Sequence, residues 1–409
     1  MHIVGALVAG ALTAGLGIAS QAVGQARAAV APDPVAALAA RLAPASPLTG
    51  DAAKAYLSQV LRELQVPEES QVLVFSKTSL QFNYITPQTP RAIYFNDTVA
   101  VGTVPGAPFL EFTALGDDGR TRFYNMRIDG AEPGRIKQDE NNCNACHTGV
   151  YPELVAPTLL IGNTLTLDTG QIAFAPWNSL TDGRTQIKDR WGGWYVTGRH
   201  GSMKHRGNVM AKYDKNPTLD PVAGLNVADL SGRLDTSRYL RPTSDIVALM
   251  TLEHQVGFAN LTAKLSAQVL ARKDPPEITA TIEELADYML GVGQATLTAP
   301  VSGTSGFTEQ FARQGPRDSA GRSLREFDLR SRIFRYPLSY MIYTPTFDAI
   351  APELKARVYA RLLQVLSGQD RSPKYAKLSG EDRRAAMEIL AQTKPGVPSD
   401  WKTARVAAN

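Results

Sequence analysis

The chain has 409 residues, of which 44% are hydrophobic and 20% are charged, and this balance is typical of globular proteins. The composition excludes the disordered and collagen-like classes, and the length suffices to bury a large core without disulfide cross-links. A formal net charge of +4 is too small for a chain of this length to indicate nucleic-acid binding, so we predict no nucleic-acid partner.

The first 28 residues predict a secretory signal peptide. They form an apolar run of small and aliphatic residues that ends in Ala26-Arg27-Ala28, which fits an A-x-A cleavage site. Only His2 precedes the run, so the positively charged start is weak and an uncleaved membrane anchor is the alternative. No later segment has the length of an integral membrane span. We therefore expect a periplasmic or otherwise exported protein.

The next two regions predict a first helix and an antiparallel sheet. Residues 29–70 form a linker rich in Ala and Pro that leads into a helix near Asp51 to Leu64. Residues 71–130 contain β-rich arms around two turn pairs, Asn96-Asp97 and Asp118-Gly119. The second pair is the stronger hairpin signal. We therefore predict an antiparallel β region over residues 71–130.

The remaining chain divides into an irregular region and a helical region. Residues 131–242 are rich in Gly, Pro, Asn and Asp and contain both cysteines. Irregular chain of this length in a compact domain is typical of a segment that wraps a cofactor. Over residues 243–409 the apolar spacing is helical, with capping residues such as Ser379 and Asp382. The sequence thus predicts an α+β fold with an N-terminal sheet and a helical C-terminal region.

The strongest motif is Cys143-Asn144-Ala145-Cys146-His147, which matches C-x-x-C-H and holds the only two cysteines of the chain. In this pattern two thiols attach a c-type haem through its vinyl groups, and the adjacent imidazole binds the iron. Export suits this interpretation because haem c is attached outside the cytoplasm. We predict one covalent haem c in residues 131–242, with Cys143 and Cys146 as attachment residues and His147 as proximal ligand.

Two alternatives use the same cysteines without haem. A zinc site would need two further ligands, and His200 and His205 are available. A disulfide or a redox-active C-x-x-C pair needs no further residue. Both alternatives leave His147 without a role, so we prefer haem c.

The distal ligand of the iron is predicted from the remaining histidines and methionines. His254 lies in a helical stretch with apolar residues four and seven positions away on the same face, and it is the first candidate. Its alternative role is that of a core histidine bonded to a backbone carbonyl. His200 is the next candidate for distal ligand, followed by His205, Met203 and Met210.

Residues 190–208 combine aromatic and basic side chains in a short stretch. Such a segment suits a haem wall, where rings stack on the porphyrin and arginines meet its carboxylates. The residues predicted to form this wall are Trp191, Trp194, Tyr195 and Arg199. The alternative is a folded aromatic loop with solvated basic residues.

Six segments resemble a family of exported bacterial proteins that carry one C-x-x-C-H motif and have no assigned activity. They are "VLVFSKTSLQ", "PRAIYFNDTVAVG", "RWGGWYVTG", "SDIVALMTLEHQ", "FRYPLSYMIY" and "TKPGVPSDW", and together they span most of the chain after residue 70. More broadly, Cys143, Cys146 and His147 match the attachment motif of c-type cytochromes, which implies haem c at these positions. The length and the predicted sheet differ from the small all-helical cytochromes.

These observations predict an exported single-haem c-type cytochrome that exchanges electrons with an unidentified redox partner protein. The alternative is a haem enzyme of the peroxidase or oxidase type, with His200 or His205 as a distal acid or base. The distal side of the iron separates the two functions. Two strong axial ligands favour electron transfer, whereas an open position allows a small molecule to bind and be activated.

Overall fold

An antiparallel sheet of seven strands organises the fold, in the order β11-β1-β2-β3-β4-β5-β6. The structure is a computed structural model, and it describes residues 33–42, 47–116, 120–130, 134–148, 158–212, 217–220 and 222–406. The predicted signal peptide and the Asp118-Gly119 turn lie outside the described residues. The strands of this sheet are β1 (Val72–Val74), β2 (Arg91–Phe95), β3 (Val99–Thr103), β4 (Phe109–Leu115), β5 (Thr121–Arg127), β6 (Lys137–Gln138) and β11 (Trp194–Tyr195).

Both predicted hairpins are present. Between β2 and β3, the Asn96 side-chain oxygen accepts hydrogen bonds from the backbone N–H groups of Thr98 at 3.0 Å and Val99 at 2.8 Å, which closes the turn. Strands β4 and β5 pair along their whole length, from Phe109 opposite Arg127 to Leu115 opposite Thr121. The antiparallel β region predicted from the sequence is therefore confirmed.

The helices concentrate in the C-terminal part of the chain, as predicted. They are α1 (Pro34–Ala39), α2 (Gly50–Glu63), α3 (Glu140–His147), α4 (Ile246–Leu270), α5 (Pro275–Met289), α6 (Phe307–Arg313), α7 (Pro345–Asp348), α8 (Pro352–Leu366), α9 (Gly380–Thr393) and α10 (Asp400–Thr403). Asp245 caps α4 by accepting from the N–H groups of Val247 and Ala248, and Ser379 caps α9 by accepting from the N–H of Asp382. The mixed α+β class is therefore confirmed.

The register of the sheet separates two packed faces, because successive strand residues point to opposite sides. On one side, which we call the α2 face, Leu73, Tyr94 and Phe112 pack in one apolar cluster with Leu57 and Val60 of α2. On the other side, which we call the α4 face, the cluster combines residues of β1, β2 and β11 with α4. These are Val72, Val74, Phe95, Trp194, Val247 and Val256.

The region predicted to be irregular, residues 131–242, contributes two strands to the main sheet, β6 and β11. Trp194 and Tyr195 pair with Val74 and Leu73 at the edge of β1. The other strands of this region are short and form two small two-stranded sheets: β7 (Gly162–Asn163), β8 (Leu165–Thr166), β9 (Ile172–Ala173) and β10 (Ser179–Leu180). Strands of two residues carry too little alternation for a sequence pattern to reveal them.

Pro32–Asn409 form one compact unit. Among the described helices, none combines the length and the apolar character that crossing a membrane requires.

Candidate functional site

The C-x-x-C-H motif lies on helix α3, which begins directly after the edge strand β6. Asp139 precedes the helix, and its side chain accepts a hydrogen bond from the N–H of Asn142 at 3.2 Å, which caps the first turn. The same carboxylate accepts from Asn125 Nδ2 at 2.6 Å, while the N–H of Asp139 donates to the carbonyl of Phe123 at 2.9 Å. Strand β5 therefore fixes the start of α3.

The three motif side chains share one side of α3, because Cys143, Cys146 and His147 are separated by three and four positions. Both thiols are free, with Cys143 half-buried and Cys146 exposed. Burial raises the pKa of Cys143 to about 11, helped by the negative charges of Asp139 and Glu111 and opposed by Arg91.

The ring of His147 is held by a backbone carbonyl. Its Nδ1 lies 2.6 Å from the carbonyl oxygen of Thr158, and its ring packs on Phe123 with centroids 4.4 Å apart. Because a carbonyl can only accept, Nδ1 carries the proton and the lone pair is on Nε2. Burial lowers the pKa of His147, so the ring is neutral. A neutral imidazole fixed in this way is the usual state of a metal-ligating histidine.

The carbonyl that holds His147 belongs to a segment tied to α4. The N–H of Leu159 donates to Asn260 Oδ1 at 2.9 Å, and Asn260 Nδ2 donates back to the carbonyl of Leu159 at 2.8 Å. A cavity of about 290 Å³ begins at Thr158 and Leu159 and continues along α4 past Gly257. The carbonyl that holds His147 is thus connected through Leu159 to α4, the longest of the described helices.

An ion pair lies on the α4 face beside α3. Arg91 Nη2 and Glu111 Oε2 are 2.7 Å apart, and both side chains are mostly buried. The guanidinium crosses β3 at Gly102, where an added Cβ would overlap it. Arg91 Nε and Asn144 Oδ1 are buried and have no hydrogen-bond partner within the described part of the chain. Unpaired polar atoms next to the motif fit a site that receives a group with a polar periphery.

His254 occupies a different side of α4 from the motif. Its Nε2 lies 2.7 Å from Ser339 Oγ and its Nδ1 lies 3.2 Å from Gln294 Nε2, and its ring stacks on Tyr288. Leu159 lines a small cavity together with Leu252 and Val256, and its N–H donates to Asn260. Leu252, Val256 and Asn260 lie in one row of α4 at intervals of four residues. His254 lies on the opposite side of the helix. The structure does not bring this predicted distal ligand to the motif.

His200 and His205 face each other rather than the motif. Their Nε2 atoms are 3.3 Å apart. The N–H of Gly207 donates to His205 Nδ1 at 3.0 Å, and the N–H of Asn226 donates to His200 Nε2 at 3.0 Å. His205 therefore carries its proton on Nε2, and this N–H shares the single lone pair of His200 Nε2 with the N–H of Asn226. Burial lowers the pKa of both rings, that of His205 to about 3, so both are neutral.

The predicted haem wall is divided between the two faces of the sheet. Trp194 belongs to the α4 face and Tyr195 to the α2 face, because consecutive strand residues point to opposite sides. Trp191 is fully buried and packs edge-on against His205, while Arg199 is exposed. Strand β11 lies five positions from β5, or roughly 24 Å along the sheet. The structure therefore does not bring these residues to α3.

The two methionine candidates also have partners elsewhere. Met203 Sδ accepts a hydrogen bond from the N–H of Thr298 at 3.3 Å, and Met210 packs against the apolar cluster of the α2 face. Within the described ranges, no group of three or more His, Cys, Asp or Glu side chains is placed to hold a metal ion. A zinc site combining the two cysteines with His200 and His205 is not assembled there.

Four residues of this site escaped the sequence analysis: Arg91, Glu111, Thr158 and Asn260. Arg91 and Glu111 stand in strands with ordinary alternation, and Thr158 acts through its backbone. Only the alternation of β2 and β4 could have placed the two charges on one face. In comparisons with known proteins, no family model, no curated protein and no solved structure matches this chain.

Proposed function

We propose that the protein is an exported single-haem c-type cytochrome that transfers electrons. In this proposal Cys143 and Cys146 attach the haem and His147 is the proximal ligand. The observation that carries the proposal is the state of His147. Its ring lies on the same side of α3 as the two free thiols. The Thr158 carbonyl accepts a hydrogen bond from its Nδ1, which leaves the Nε2 lone pair for a metal.

The attachment chemistry needs only groups that α3 supplies. Each thiol adds across one vinyl group, so a carbon–sulfur bond forms, the thiol hydrogen goes to the neighbouring carbon, and no atom is lost. The haem supplies an iron that alternates between the ferric and ferrous states. The Thr158 carbonyl makes His147 a stronger donor to that iron, because a hydrogen bond from Nδ1 raises the basicity of the ring.

The exposure of the motif supports electron exchange with a partner protein. Cys146 is exposed while Cys143 is half-buried, so a group attached to both thiols would have one edge at the surface. A redox partner could approach that edge without a change in the fold.

Intact mass spectrometry tests the attachment. The chain is expressed together with the haem c maturation machinery, and we expect the purified protein to carry the mass of one haem and a Soret band. The variant with Cys143→Ala and Cys146→Ala should lose both signals. A matched control is His254→Ala, which should keep the covalent haem. A wild-type protein without the added mass contradicts the proposed function.

A second candidate function is a haem enzyme of the peroxidase or oxidase type. The observation that favours it is that each of the other described histidines is bonded within the protein. His254 is held by Ser339 and Gln294, and His200 and His205 are held by each other. An iron without a strong distal protein ligand would bind small molecules.

Carbon monoxide distinguishes the two functions in the loaded, reduced protein. A visible spectrum that does not change on adding carbon monoxide indicates two strong protein ligands and supports the electron carrier. A prompt shift of the Soret band indicates an open or displaceable position and supports the enzyme. His200→Ala and His254→Ala, measured in the same way, show whether either ring contributes the distal ligand.

A further inference from the structure

We propose that the Arg91–Glu111 ion pair sets the reduction potential of the haem held by α3, with Arg91 raising it and Glu111 lowering it. This inference rests on the proposed function. It assigns a tuning role to two residues of the sheet that neither belong to the motif nor follow it in the chain.

The sheet register places the pair next to the motif. Glu111 in β4 is directly opposite Asn125 in β5, and Asn125 holds the Asp139 cap of α3. On its other side, Glu111 is opposite Gly102 in β3. The Arg91 side chain reaches Glu111 across this glycine. Glu111 is one strand spacing, roughly 5 Å, from β5, which holds the cap of α3. Arg91 starts from β2, and its side chain brings its charge to Glu111.

The Gly102 position is what lets the pair form. A side chain at 102 would point from β3 toward the same face and overlap the guanidinium of Arg91. Without one, Arg91 lies flat on the sheet, and 22% of its side chain and 14% of that of Glu111 remain exposed. Two charges held in a partly dry environment act on their surroundings more strongly than charges in water.

The charges of the pair also reach the motif. Among the causes that set the pKa of Cys143 are the negative charge of Glu111, which raises it, and the positive charge of Arg91, which lowers it. An iron bound at His147 Nε2 would lie within the same field.

The direction of each effect follows from the charge of the iron. Ferric haem carries one more positive charge than ferrous haem. A fixed positive charge nearby destabilises the ferric state and raises the potential, whereas a negative charge lowers it. Arg91 Nε and Glu111 Oε2 are both buried without a hydrogen-bond partner in the described part of the chain, so each residue keeps a polar atom that other charges nearby can act on.

Potentiometric titration of the loaded, full-length protein tests the inference. At the midpoint potential of the wild type, we expect Arg91→Gln to lower the ratio of ferrous to ferric haem about tenfold, which is 59 mV for a one-electron couple. Glu111→Gln should raise the ratio by a similar factor. Arg91→Lys keeps the charge and should stay within about threefold of the wild type.

Arg199→Gln is the matched control, because it removes the same charge at an exposed position near the opposite edge of the sheet. We expect a change below about twofold. Wild-type protein without covalent haem overturns the proposed function and this inference together. Loaded protein in which Arg91→Gln and Glu111→Gln shift the ratio in the same direction, or no more than Arg199→Gln, overturns this inference alone.

Discussion

Backbone groups decide where His147 and His205 carry their protons. At His147 a carbonyl oxygen binds Nδ1 and leaves Nε2 as the lone-pair nitrogen. At His205 a backbone N–H donates to Nδ1, so the proton is on Nε2, where it points to His200 Nε2. The first arrangement suits a metal ligand and the second suits a buried structural pair. Identical side chains therefore serve different purposes because of the main chain beside them.

The lack of a side chain at Gly257 matters because of the neighbouring Tyr288. A Cβ at this position would overlap the ring and hydroxyl of Tyr288, and that hydroxyl donates to the carbonyl of His254 at 3.1 Å. The glycine therefore allows α4 and α5 to approach closely. An alanine would favour the helix locally but force this contact apart.

We predict that Gly257→Ala lowers the free energy of unfolding by about 2 kcal/mol, because the overlap with the buried Tyr288 ring is severe and the cost lies near the top of the range for overpacking. Overpacking costs about 1–3 kcal/mol, and the higher helix propensity of alanine offsets up to about 1 kcal/mol. Denaturant titration followed by circular dichroism measures the change. Gly380→Ala is the control, since nothing lies within 4 Å of a Cβ there. Equal stability of Gly257→Ala and wild type would contradict the close approach.

At the scale of elements, α3 depends on the sheet for its existence. It has eight residues, and helices this short are not stable alone in water. Its stability comes from the Asp139 cap, from Asn125 behind that cap and from the packing of His147 on Phe123. The motif residues are thus oriented by β5 rather than by their own helix propensity.

We predict that Asp139→Ala destabilises α3 by about 1 kcal/mol, because the first turn loses its cap. Hydrogen exchange of the Asn142 amide should become faster in the haem-free protein. The pKa of Cys143 should fall below about 11, because the charge of Asp139 raises it. Titration with a thiol reagent in a Cys146→Ala background measures this second effect.

Asp274→Ala provides the comparison for this prediction. Asp274 precedes α5 but its side chain makes no capping hydrogen bond, so we expect little change in exchange at the start of α5. If Asp139→Ala leaves both the Asn142 amide and the Cys143 thiol unchanged, the cap does not hold α3 in the way described.

At the scale of the whole molecule, buried neutral histidines link stability to pH. Burial lowers the pKa of His205 to about 3 and that of His254 to about 4, whereas an unfolded histidine titrates near 6.5. Below pH 6.5 the unfolded chain therefore binds more protons than the folded chain. The stability that each ring contributes is fully present above pH 6.5 and is lost as the pH falls toward 3 or 4.

We predict that His205→Gln removes part of this acid sensitivity. Between pH 7 and pH 4 the difference in unfolding free energy between wild type and variant should shrink by roughly 3 kcal/mol, the linkage value for one such histidine. Urea titrations at several pH values measure it. Parallel profiles of the two proteins would mean that the His205 ring titrates normally.

Much of the fold could be predicted because its signals are local. The hairpin at Asn96, the cap of α9 at Ser379 and the C-x-x-C-H motif each involve residues only a few positions apart. Such patterns act through the backbone geometry of one turn and are therefore visible in the sequence. The α+β class follows from the same patterns taken in chain order.

The surroundings of the motif could not be predicted because they join distant parts of the chain. Leu159 reaches Asn260 across 101 positions, and His254 reaches Ser339 across 85. Helical spacing showed that His254 faces apolar neighbours. It could not show that those neighbours belong to α5 and the 334–340 segment rather than to a haem.

The sequence by itself therefore determined the class of fold, the capped helices, the hairpins and the motif on which the proposed function rests. The tertiary structure decided that His147 is oriented by Thr158, that Arg91 and Glu111 accompany the motif, and that His200 and His254 lie elsewhere. The physical reason is that periodicity and capping depend on neighbours in the chain. The partners of a buried side chain depend on how helices and strands pack, and many arrangements share the same local pattern.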